Sequence, residues 1–454
     1  MATDSSASSN AVDRYVLDFR ALASSATGQS PAWLGSIRRK AIDRFASIGF
    51  PTTRDENWRF TNFSKLAEKE FRIRNGDSGH AHGSIGEGDE LGWQAANRIV
   101  FVDGEYDAVL SSVEALPDGV LVGDLASAVT RDERAVAGNL TQVAENIDNP
   151  FEALNAAFMR EGGVIFVPDG TVVVEPIQFL FLTTSHSSDT VNHLRNIFVV
   201  GENAEATVVE TYLGLGDGCS WTNSVTEVVL GDSARLNTHR FQLEGENAFH
   251  TATTKCRQQR DSSYALTTAE FGGTLSRHDI KIGLHGEGAS SELAGILHLR
   301  GKQHVDNHTT IEHAEPHCTS RENFNGIFDG ESHGVFTGRI LVQPGAQQTD
   351  AQQSSRNLLL SEKARADAQP QLEIFADDVK CTHGTTVGPI DQDALFYLRS
   401  KGLTSDAARS MLTYGFAGEI VNSIGVGGLR GWTDALLRSR LEKGNGGNRE
   451  VGGK

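Results

Sequence analysis

A thiol and an imidazole lie two residues apart in the stretch DDVKCTHGTT, at positions 377–386. If this stretch is a β-strand, Cys381 and His383 point to the same face, because side chains alternate between the two faces of a strand. Sulfur and imidazole nitrogen are ligands for zinc, iron and iron–sulfur clusters. The pair is therefore a candidate for half of a metal or sulfur site, and the sequence nearby does not supply the other half.

The surroundings of the pair distinguish two interpretations. A buried cysteine beside a histidine in a turn would need no function. However, Asp377 and Asp378 precede the pair, Gly384 follows it, and the strand-like pattern ends here against predicted helices. The end of a β stack has an unpaired edge, which meets either a covering helix or a partner chain. These features favour a functional site at Cys381 and His383.

A second group of potential ligands is the histidine-rich stretch from His298 to Cys318. It holds His298, His304, His308, His313, His317 and Cys318. A zinc site is one hypothesis for such a group. The segment alternates with period two, so only His304 and His308 are expected to share a strand face. The irregular spacing favours stacked or surface histidines, and a metal site at His304 and His308 is the weaker hypothesis.

Glycine-rich stretches provide no nucleotide site. GLGDG at 214–218 and GVGGLRG at 425–431 do not match a phosphate-binding loop, and no G-x-x-x-x-G-K-[ST] occurs. In the second stretch the third glycine of a dinucleotide fingerprint would fall on Arg430, after a helix rather than a strand. We therefore expect this chain to bind neither ATP nor NAD by itself.

Composition limits the class of protein. The chain has 454 residues with 48 glycines but only 7% aromatic residues, which suits many short strands and tight turns. The formal charge of −18 argues against a nucleic-acid-binding surface. The simplest explanation of this acidity is that it keeps the protein soluble. The alternative explanation is that the protein works in a salt-rich cytoplasm.

Targeting and redox features predict a soluble, cytoplasmic protein. No apolar run approaches the roughly 20 residues of a membrane span. The N-terminus MATDSSASSNAVDRY lacks a basic region followed by an apolar one, so it does not resemble a signal peptide. The four cysteines are widely spaced, which predicts neither a disulfide framework nor a self-contained four-cysteine site.

Helical spacing of apolar residues predicts helices at both ends of the chain. The N-terminal helices are expected at 11–24 and 30–49, the second with Ser30 as N-cap, Pro31 at the first helical position and Gly49 at its end. The C-terminal helices are expected at 391–402, starting at Asp391 as N-cap, and at 404–425 and 433–443. One apolar stripe on the second of these helices holds Ala408, Met411, Leu412, Phe416 and Ile420.

Between the helices the period of the pattern changes from 3.6 to 2. Strand–turn–strand patterns occur at 98–111 and 162–184, a short helix is predicted at 149–162, and strand-like runs then continue to about residue 380. In HDIKIGLHG, the residues Ile280, Ile282 and Leu284 alternate with polar ones. Such a long succession of strands without intervening helices excludes a doubly wound α/β fold. The pattern alone leaves a sandwich and a right-handed β-helix as alternatives.

The predicted organisation has four parts. Residues 1–95 form an N-terminal helical region with a Gly-, His- and acid-rich linker at 75–90, and residues 96–386 form the β body. Residues 387–443 form a C-terminal helical region, and residues 444–454 form a disordered tail.

Several long motifs resemble a known family. They are FPTTRDENWRFTNFSKL, NPFEALNAAFMREGGVIFVPDG, the block from GVFTGRILVQPGAQQTDAQQSSRN to DDVKCTHGTTVGPIDQDALFYLRSKGL, and YGFAGEI. Together they are similar to the SufB and SufD scaffold subunits of the SUF iron–sulfur cluster assembly system. Pro51, Glu56 and Trp58, together with CTHGTT, resemble the SufD branch rather than SufB.

The resemblance implies a fold and a set of partners. The expected fold is mainly β, a right-handed parallel β-helix with N- and C-terminal helical regions. The expected partners are a SufB-like scaffold, which pairs through the end of the β-helix, and a SufC-like ABC ATPase, which docks on the C-terminal helices. Within those helices the candidate docking residues are Phe396, Tyr397, Leu398, Met411, Leu412 and Phe416.

The resemblance also implies a chemistry. The chain would be a scaffold and not an enzyme, and a transient iron–sulfur cluster would form at the interface with SufB. Cys381 and His383 would be the contribution of this chain. The sequence leaves open whether Cys381 carries sulfur, whether the isolated chain is a homodimer, whether a flavin binds in the complex, and which cluster is delivered. Two alternatives are a β-helix carbohydrate-active enzyme with paired carboxylates and an independent metalloprotein using the 298–318 histidines.

Overall fold

A computed structural model describes residues 3–24, 31–73, 91–114, 116–131, 136, 138, 140, 147–184 and 189–445. The predicted 75–90 linker, Ser30 and residues 446–454 lie outside the described residues. Within this part of the chain no helix is long and apolar enough to cross a membrane.

Helices occupy the two ends of the described chain and two short stretches between the first strands. They are α1 (Thr3–Ser24), α2 (Ala32–Ile48), α3 (Ser64–Glu68), α4 (Leu125–Arg131), α5 (Pro150–Phe158), α6 (Gln392–Ser400), α7 (Ser405–Asn422) and α8 (Gly427–Asn445). A 3₁₀ turn covers Glu56–Trp58.

Strands occupy almost everything else. They are β1 (Arg72–Ile73), β2 (Asn97–Val102), β3 (Glu105–Ser112), β4 (Leu121–Asp124), β5 (Gly163–Val167), β6 (Ile177–Thr183), β7 (Thr190–Val200), β8 (Glu205–Gly214), β9 (Ser220–Leu230), β10 (Arg235–Leu243), β11 (Phe249–Gln258), β12 (Ser263–Glu270), β13 (Leu275–Leu284), β14 (Ser290–Leu299), β15 (His304–His313), β16 (Thr319–Phe328), β17 (His333–Val342), β18 (Thr349–Leu359), β19 (Arg365–Ile374) and β20 (Val379–Pro389).

The strands wind into a solenoid in which each turn contributes one strand to each of two parallel sheets. The first sheet runs β7-β9-β11-β13-β15-β17-β19 and the second runs β8-β10-β12-β14-β16-β18-β20. Leu275 lies beside His304, and His304 lies beside His333, so the chain completes one turn between each of these residues and the next. About seven such turns are stacked. The predicted parallel β-helix with helical flanks is confirmed, and the sandwich is wrong.

Alternation along each strand determines what fills the solenoid. Ile280, Ile282 and Leu284 are almost completely buried and belong to one apolar cluster that runs through the interior. Their neighbours Lys281 and Gly283 point outward and are half-buried. This confirms the alternation predicted for the stretch. Because the turns are parallel and in register, each inward side chain stacks on inward side chains of the turns before and after it.

The two ends of the solenoid differ. At the N-terminal end, β3 pairs antiparallel with β2 and β4 pairs antiparallel with β5. At the C-terminal end, β19 pairs with β17 and β20 pairs with β18. Within the described residues neither β19 nor β20 has a second strand neighbour. Most residues of β19 are half-exposed and most of β20 are exposed, so the last turn is uncovered.

The N-terminal helices pack on the solenoid through an aromatic cluster. Tyr15, Phe45 and Phe158 are buried there, and the cluster reaches Trp221 on β9 and Phe249 on β11. Helix α2 ends at Gly49, which has φ of 71°, as predicted. Its N-cap is Pro31, one position later than the expected Ser30. The helix predicted at 149–162 ends at Phe158, because Met159 leaves the helical conformation.

The C-terminal helices pack on the outer face of the second sheet. Asp391 caps α6 by accepting from the N–H groups of Asp393 and Ala394, as predicted. The third helix, predicted at 433–443, begins at Gly427. Leu429 is fully buried in the cluster between helices and sheet, and this packing outweighs the poor helix propensity of the preceding glycines.

Arg277 ties the N-terminal region to the first sheet, and its removal should destabilise the protein. Its guanidinium donates to Asp279 at 2.9 Å and to Asp306 and the carbonyl of Asn57 at 2.8 Å, and it lies 3.7 Å from the ring centroid of Trp58. We predict that Arg277→Leu lowers the free energy of unfolding by about 3–5 kcal/mol, because two buried carboxylates lose the guanidinium that pairs with both of them. Urea unfolding followed by circular dichroism measures this change.

The control is Arg321→Gln, which removes a half-exposed ion pair with Asp350. That variant should lose less than about 1 kcal/mol, because solvent screens the pair. Equal losses in the two variants would contradict the role assigned to Arg277.

Candidate functional site

Cys381 and His383 lie on β20, the terminal strand of the second sheet. In the parallel register with β18, Cys381 lies beside Ala351 and His383 lies beside Gln353. The pair thus lies in a strand, which is the condition for the two side chains to share one face. Ala351 and Gln353 are buried inside the solenoid, so this shared face continues the interior beyond the last covered turn.

The two side chains differ in exposure. Cys381 is half-buried and packs on a small apolar cluster that includes Ile340 and Ala376. His383 is exposed. Burial raises the pKa of the Cys381 thiol, and nearby Asp350 raises it further. The thiol is therefore protonated at neutral pH, and binding of a metal would have to displace this proton.

Beneath His383 lies a column of polar side chains that sequence reasoning missed. Gln353 lies beside Glu322 of β16 in the register, and its Nε2 donates to the Glu322 carboxylate. Gly338, on the opposite sheet, leaves room for this amide, since a Cβ there would lie 2.1 Å from Gln353 Nε2. Glu322, Gln353 and His383 thus connect the interior to the open end. Each lies one full turn along the chain from the next. The sequence alone does not show this spacing, because the number of residues in each turn is known only from the structure.

Glu322 is the buried carboxyl group of this column. It is 3% exposed, and burial raises its pKa to about 7. Its partner in the column is the neutral amide of Gln353, which does not offset the cost of burying a charge. The column therefore changes its charge close to neutral pH.

The predicted histidine-rich group is dispersed by the fold. His298 and His313 are buried, and His313 Nε2 lies 2.9 Å from Ser320 Oγ. His304 and His308 share the outward face of β15, with backbone positions about 13 Å apart. His304 Nε2 lies 2.8 Å from Thr61 Oγ1, and His308 Nε2 lies 3.1 Å from an oxygen of Asp306.

Other members of that stretch also lie apart. Cys318 is buried, and its thiol donates to the Gly286 carbonyl. His317 is exposed in a turn with φ of 61°. Among the residues that the structure describes, no group of three or more His, Cys, Asp or Glu side chains is placed to hold a metal ion. Within the described residues, Cys381 and His383 at the open end are therefore not part of such a group.

The six candidate docking residues fall into two sets. Phe396, Tyr397 and Met411 are exposed, with 73%, 59% and 57% of their surface accessible. Leu398, Leu412 and Phe416 instead pack against the cluster that joins α6 and α7 to the sheet. The first set is available to a partner, and the second set positions the helices that carry it.

We predict that the charge of Glu322 makes folding stability depend on pH. Because the folded pKa is raised above the ordinary value of 4.5, the unfolded state loses its proton first as the pH rises. The contribution of the protonated Glu322 carboxyl group to the free energy of unfolding is fully present below pH 4.5, and it is lost as the pH rises to about 7. Relative to Glu322→Gln, the unmodified chain should lose on the order of 3 kcal/mol between pH 5 and pH 8, measured by urea unfolding.

Glu292→Gln is the matched control, since Glu292 is an exposed glutamate on the neighbouring strand β14. Its stability difference from the unmodified chain should be the same at both pH values. A pH-independent difference for Glu322→Gln as well would show that Glu322 does not titrate in this range.

Comparison with known proteins identifies the family. Residues 9–179 match the family model described as the SufBD protein N-terminal region, and residues 181–416 match the model described as SUF system FeS cluster assembly, SufBD core domain. The second match alone covers more than half of the chain, and the two together confirm the resemblance seen in the motifs.

Curated relatives extend over nearly the whole chain. The iron–sulfur cluster assembly SufBD family protein slr0076 of Synechocystis is 33% identical over 89% of this chain and 90% of its own length. The iron–sulfur cluster assembly protein SufD of Escherichia coli is 29% identical, over 96% of this chain and 98% of its own. SufD of Bacillus subtilis is 28% identical over 91% and 95%. The chain belongs to the SufBD family of iron–sulfur cluster assembly proteins.

Proposed function

We propose that this chain is the SufD-like scaffold subunit of a SUF complex, acting in the cytoplasm without ATPase activity of its own. It would pair end to end with a SufB-like scaffold and contribute Cys381 and His383 to the assembly of a cluster. A SufC-like ABC ATPase would dock on its C-terminal helices. The cluster is the cargo of this reaction and leaves the scaffold when it is complete.

The observation that carries this proposal is the uncovered last turn of the solenoid. Within the described residues, β20 has a strand neighbour on one side only, and apolar Ile374, Phe375 and Val387 are exposed around it. An unpaired edge with apolar side chains is costly to leave in water and is suited to pairing with another chain. The proposed ligands Cys381 and His383 lie on this same turn.

The chemistry of the two side chains fits one side of a shared site. Cysteine sulfur and histidine nitrogen both bind iron, and an imidazole ligand raises the potential of a cluster relative to thiolate alone. A site that is divided between two chains opens when the chains move apart, which suits a scaffold that must release its cargo. The burial of Cys381 and the exposure of His383 make the histidine the more accessible ligand.

We predict that His383→Ala slows cluster formation. With the partner scaffold, the ATPase, iron and a sulfur donor present, the rate should fall at least about tenfold, since loss of even an outer partner of a ligand costs that much. The absorbance of the cluster, recorded without oxygen, measures the rate. Folding should be unaffected, because His383 is exposed.

The control is His285→Ala, which removes an exposed histidine after β13. It should assemble clusters at the normal rate. A normal rate for His383→Ala in an intact complex would exclude the proposed ligand, whereas a lower rate for both variants would point to a general effect of histidine loss.

A second prediction concerns the docking of the ATPase. Phe396→Ser combined with Met411→Ser should abolish recovery of the ATPase in an anaerobic pull-down of the tagged chain from native cells. These side chains are exposed on α6 and α7, so their replacement should remove an interface contact while the fold is kept. Recovery of the SufB-like scaffold should be unchanged, because the solenoid end is not altered.

Val174→Ser is the matched control, since Val174 is 80% exposed but lies between β5 and β6, far along the chain from the helices. It should retain both partners. Full recovery of the ATPase with the double variant would move its docking site elsewhere. Recovery of the unmodified chain alone, carrying its own metal, would overturn the scaffold proposal.

A further inference from the structure

A pocket rich in arginine lies where the C-terminal helices meet the second sheet. Arg409 on α7 and Arg440 on α8 line it from the helices, and His298 and Arg300 line it from the end of β14. Asp329, after β16, also lines it. No part of the proposed cluster site or of the docking surface includes this pocket. The inference drawn from it needs no partner chain and does not depend on the proposed function.

Several donor atoms in this pocket are buried without a partner. They are Nε and Nη2 of Arg300, Nε of Arg440 and Nδ1 of His298. His298 is only 2% exposed. Buried polar groups in folded proteins are nearly always hydrogen-bonded, so these unpaired nitrogen atoms, on three residues that line one pocket, indicate a missing partner.

The hydrogen bonds that Arg440 and Arg409 make go to uncharged acceptors. Arg440 Nη2 donates to the Phe271 carbonyl at 2.6 Å, and Arg409 Nη2 donates to the Leu360 carbonyl at 3.0 Å. Carbonyl oxygens accept hydrogen bonds but carry no net charge. Burial and the neighbouring charge of Arg300 lower the pKa of Arg440 to about 10.

The pocket is lined by fewer carboxylates than guanidinium groups. Asp329 and Glu246 favour the charged form of Arg300, but burial still lowers its pKa. Burial, together with the charges of Arg440 and Arg300, lowers the pKa of His298 to about 3, so its ring is neutral and can donate from one nitrogen. Among the residues that line the pocket there are three guanidinium groups and one carboxylate, that of Asp329, so positive groups outnumber negative ones.

We propose that this pocket binds one small tetrahedral oxyanion of the inorganic phosphate class. Such an ion presents acceptor oxygens in several directions, which suits a pocket lined by guanidinium groups from two helices and from a strand end, and it supplies the negative charge that water lacks. The bound ion joins Arg300 and His298 of the solenoid to Arg409 and Arg440 of the helices. It therefore stabilises the attachment of α7 and α8 to the second sheet.

The size of the pocket limits the ligand. Its cavity volume is about 40 Å³, and by the same measure a single water needs about 10–15 Å³. This volume matches a few waters or one small ion.

Titration of the full-length chain with inorganic phosphate at constant ionic strength tests the proposal. Calorimetry should show one phosphate per chain, and Arg300→Met should weaken binding at least about tenfold, as expected for loss of one partner of a buried charge pair. Arg440→Lys, which keeps the charge but removes the planar fork, should also weaken binding. Arg438→Gln, on the exposed side of the same helix α8, should bind as the unmodified chain does.

Thermal unfolding gives a readout that does not require the variants to bind. Without phosphate, Arg300→Met should unfold at or above the temperature of the unmodified chain, because an unpaired buried cation is removed. Phosphate should then raise the unfolding temperature of the unmodified chain and not that of Arg300→Met. If phosphate raised the unfolding temperature of the unmodified chain and of Arg300→Met equally, the pocket would hold only water. Binding of ATP as tightly as phosphate would overturn the assignment to a small ion.

Discussion

Parallel stacking in register is the constraint on which the rest of this structure depends. Each turn of the solenoid hydrogen-bonds to the turns before and after it, so every inward position becomes a column that runs along the interior. Such a stack satisfies its own backbone everywhere except at its two ends. At the N-terminal end each sheet finishes with an antiparallel pair, β2 with β3 and β4 with β5, and within the described residues β3 and β4 have one strand neighbour each. Within the described residues, β19 and β20 at the C-terminal end also have one strand neighbour each, but both pair in parallel. The mostly exposed β20 carries Cys381 and His383, so the pair lies on an open edge.

The same stacking requires that polar residues inside the solenoid find partners in adjacent turns. Glu244 has His250 at 2.7 Å, and although burial alone would raise its pKa, the charge of and hydrogen bond from His250 lower it. Glu322 occupies a comparable interior position but meets an amide, so burial dominates and its pKa is raised. An interior carboxyl group therefore stays charged or becomes neutral according to the partner that the stacking brings to it.

Local patterns predicted the elements of this fold but not their pairing. The N-cap at Asp391, the end of α2 at Gly49 and the alternation through Ile280 follow from side-chain chemistry within a few residues, and the structure confirms each of them. A sandwich and a β-helix share those local features, and they differ in whether a strand pairs with the one a full turn further along the chain. Cys381 and His383 are two residues apart, so the sequence alone identifies them as a pair. Gln353 and Glu322 lie one and two turns earlier in the chain, so only the pairing of the strands shows that they lie beneath this pair.

Positive charge accumulates where the helices meet the solenoid because of how this seam is built. Apolar packing around Leu429 supplies the contact area, and the long polar side chains that cross the seam, such as Asn325 and Arg440, bond to backbone carbonyls of the other side. Carbonyls satisfy donors without neutralising guanidinium charge, so each arginine added to the seam strengthens attachment by hydrogen bonding and weakens it by repulsion. Arg356, which pairs with Glu419 at the exposed edge of the same seam, avoids this conflict. Inside the seam Asp329 and Glu246 offset part of the charge of Arg300, and the proposed anion would offset more of it.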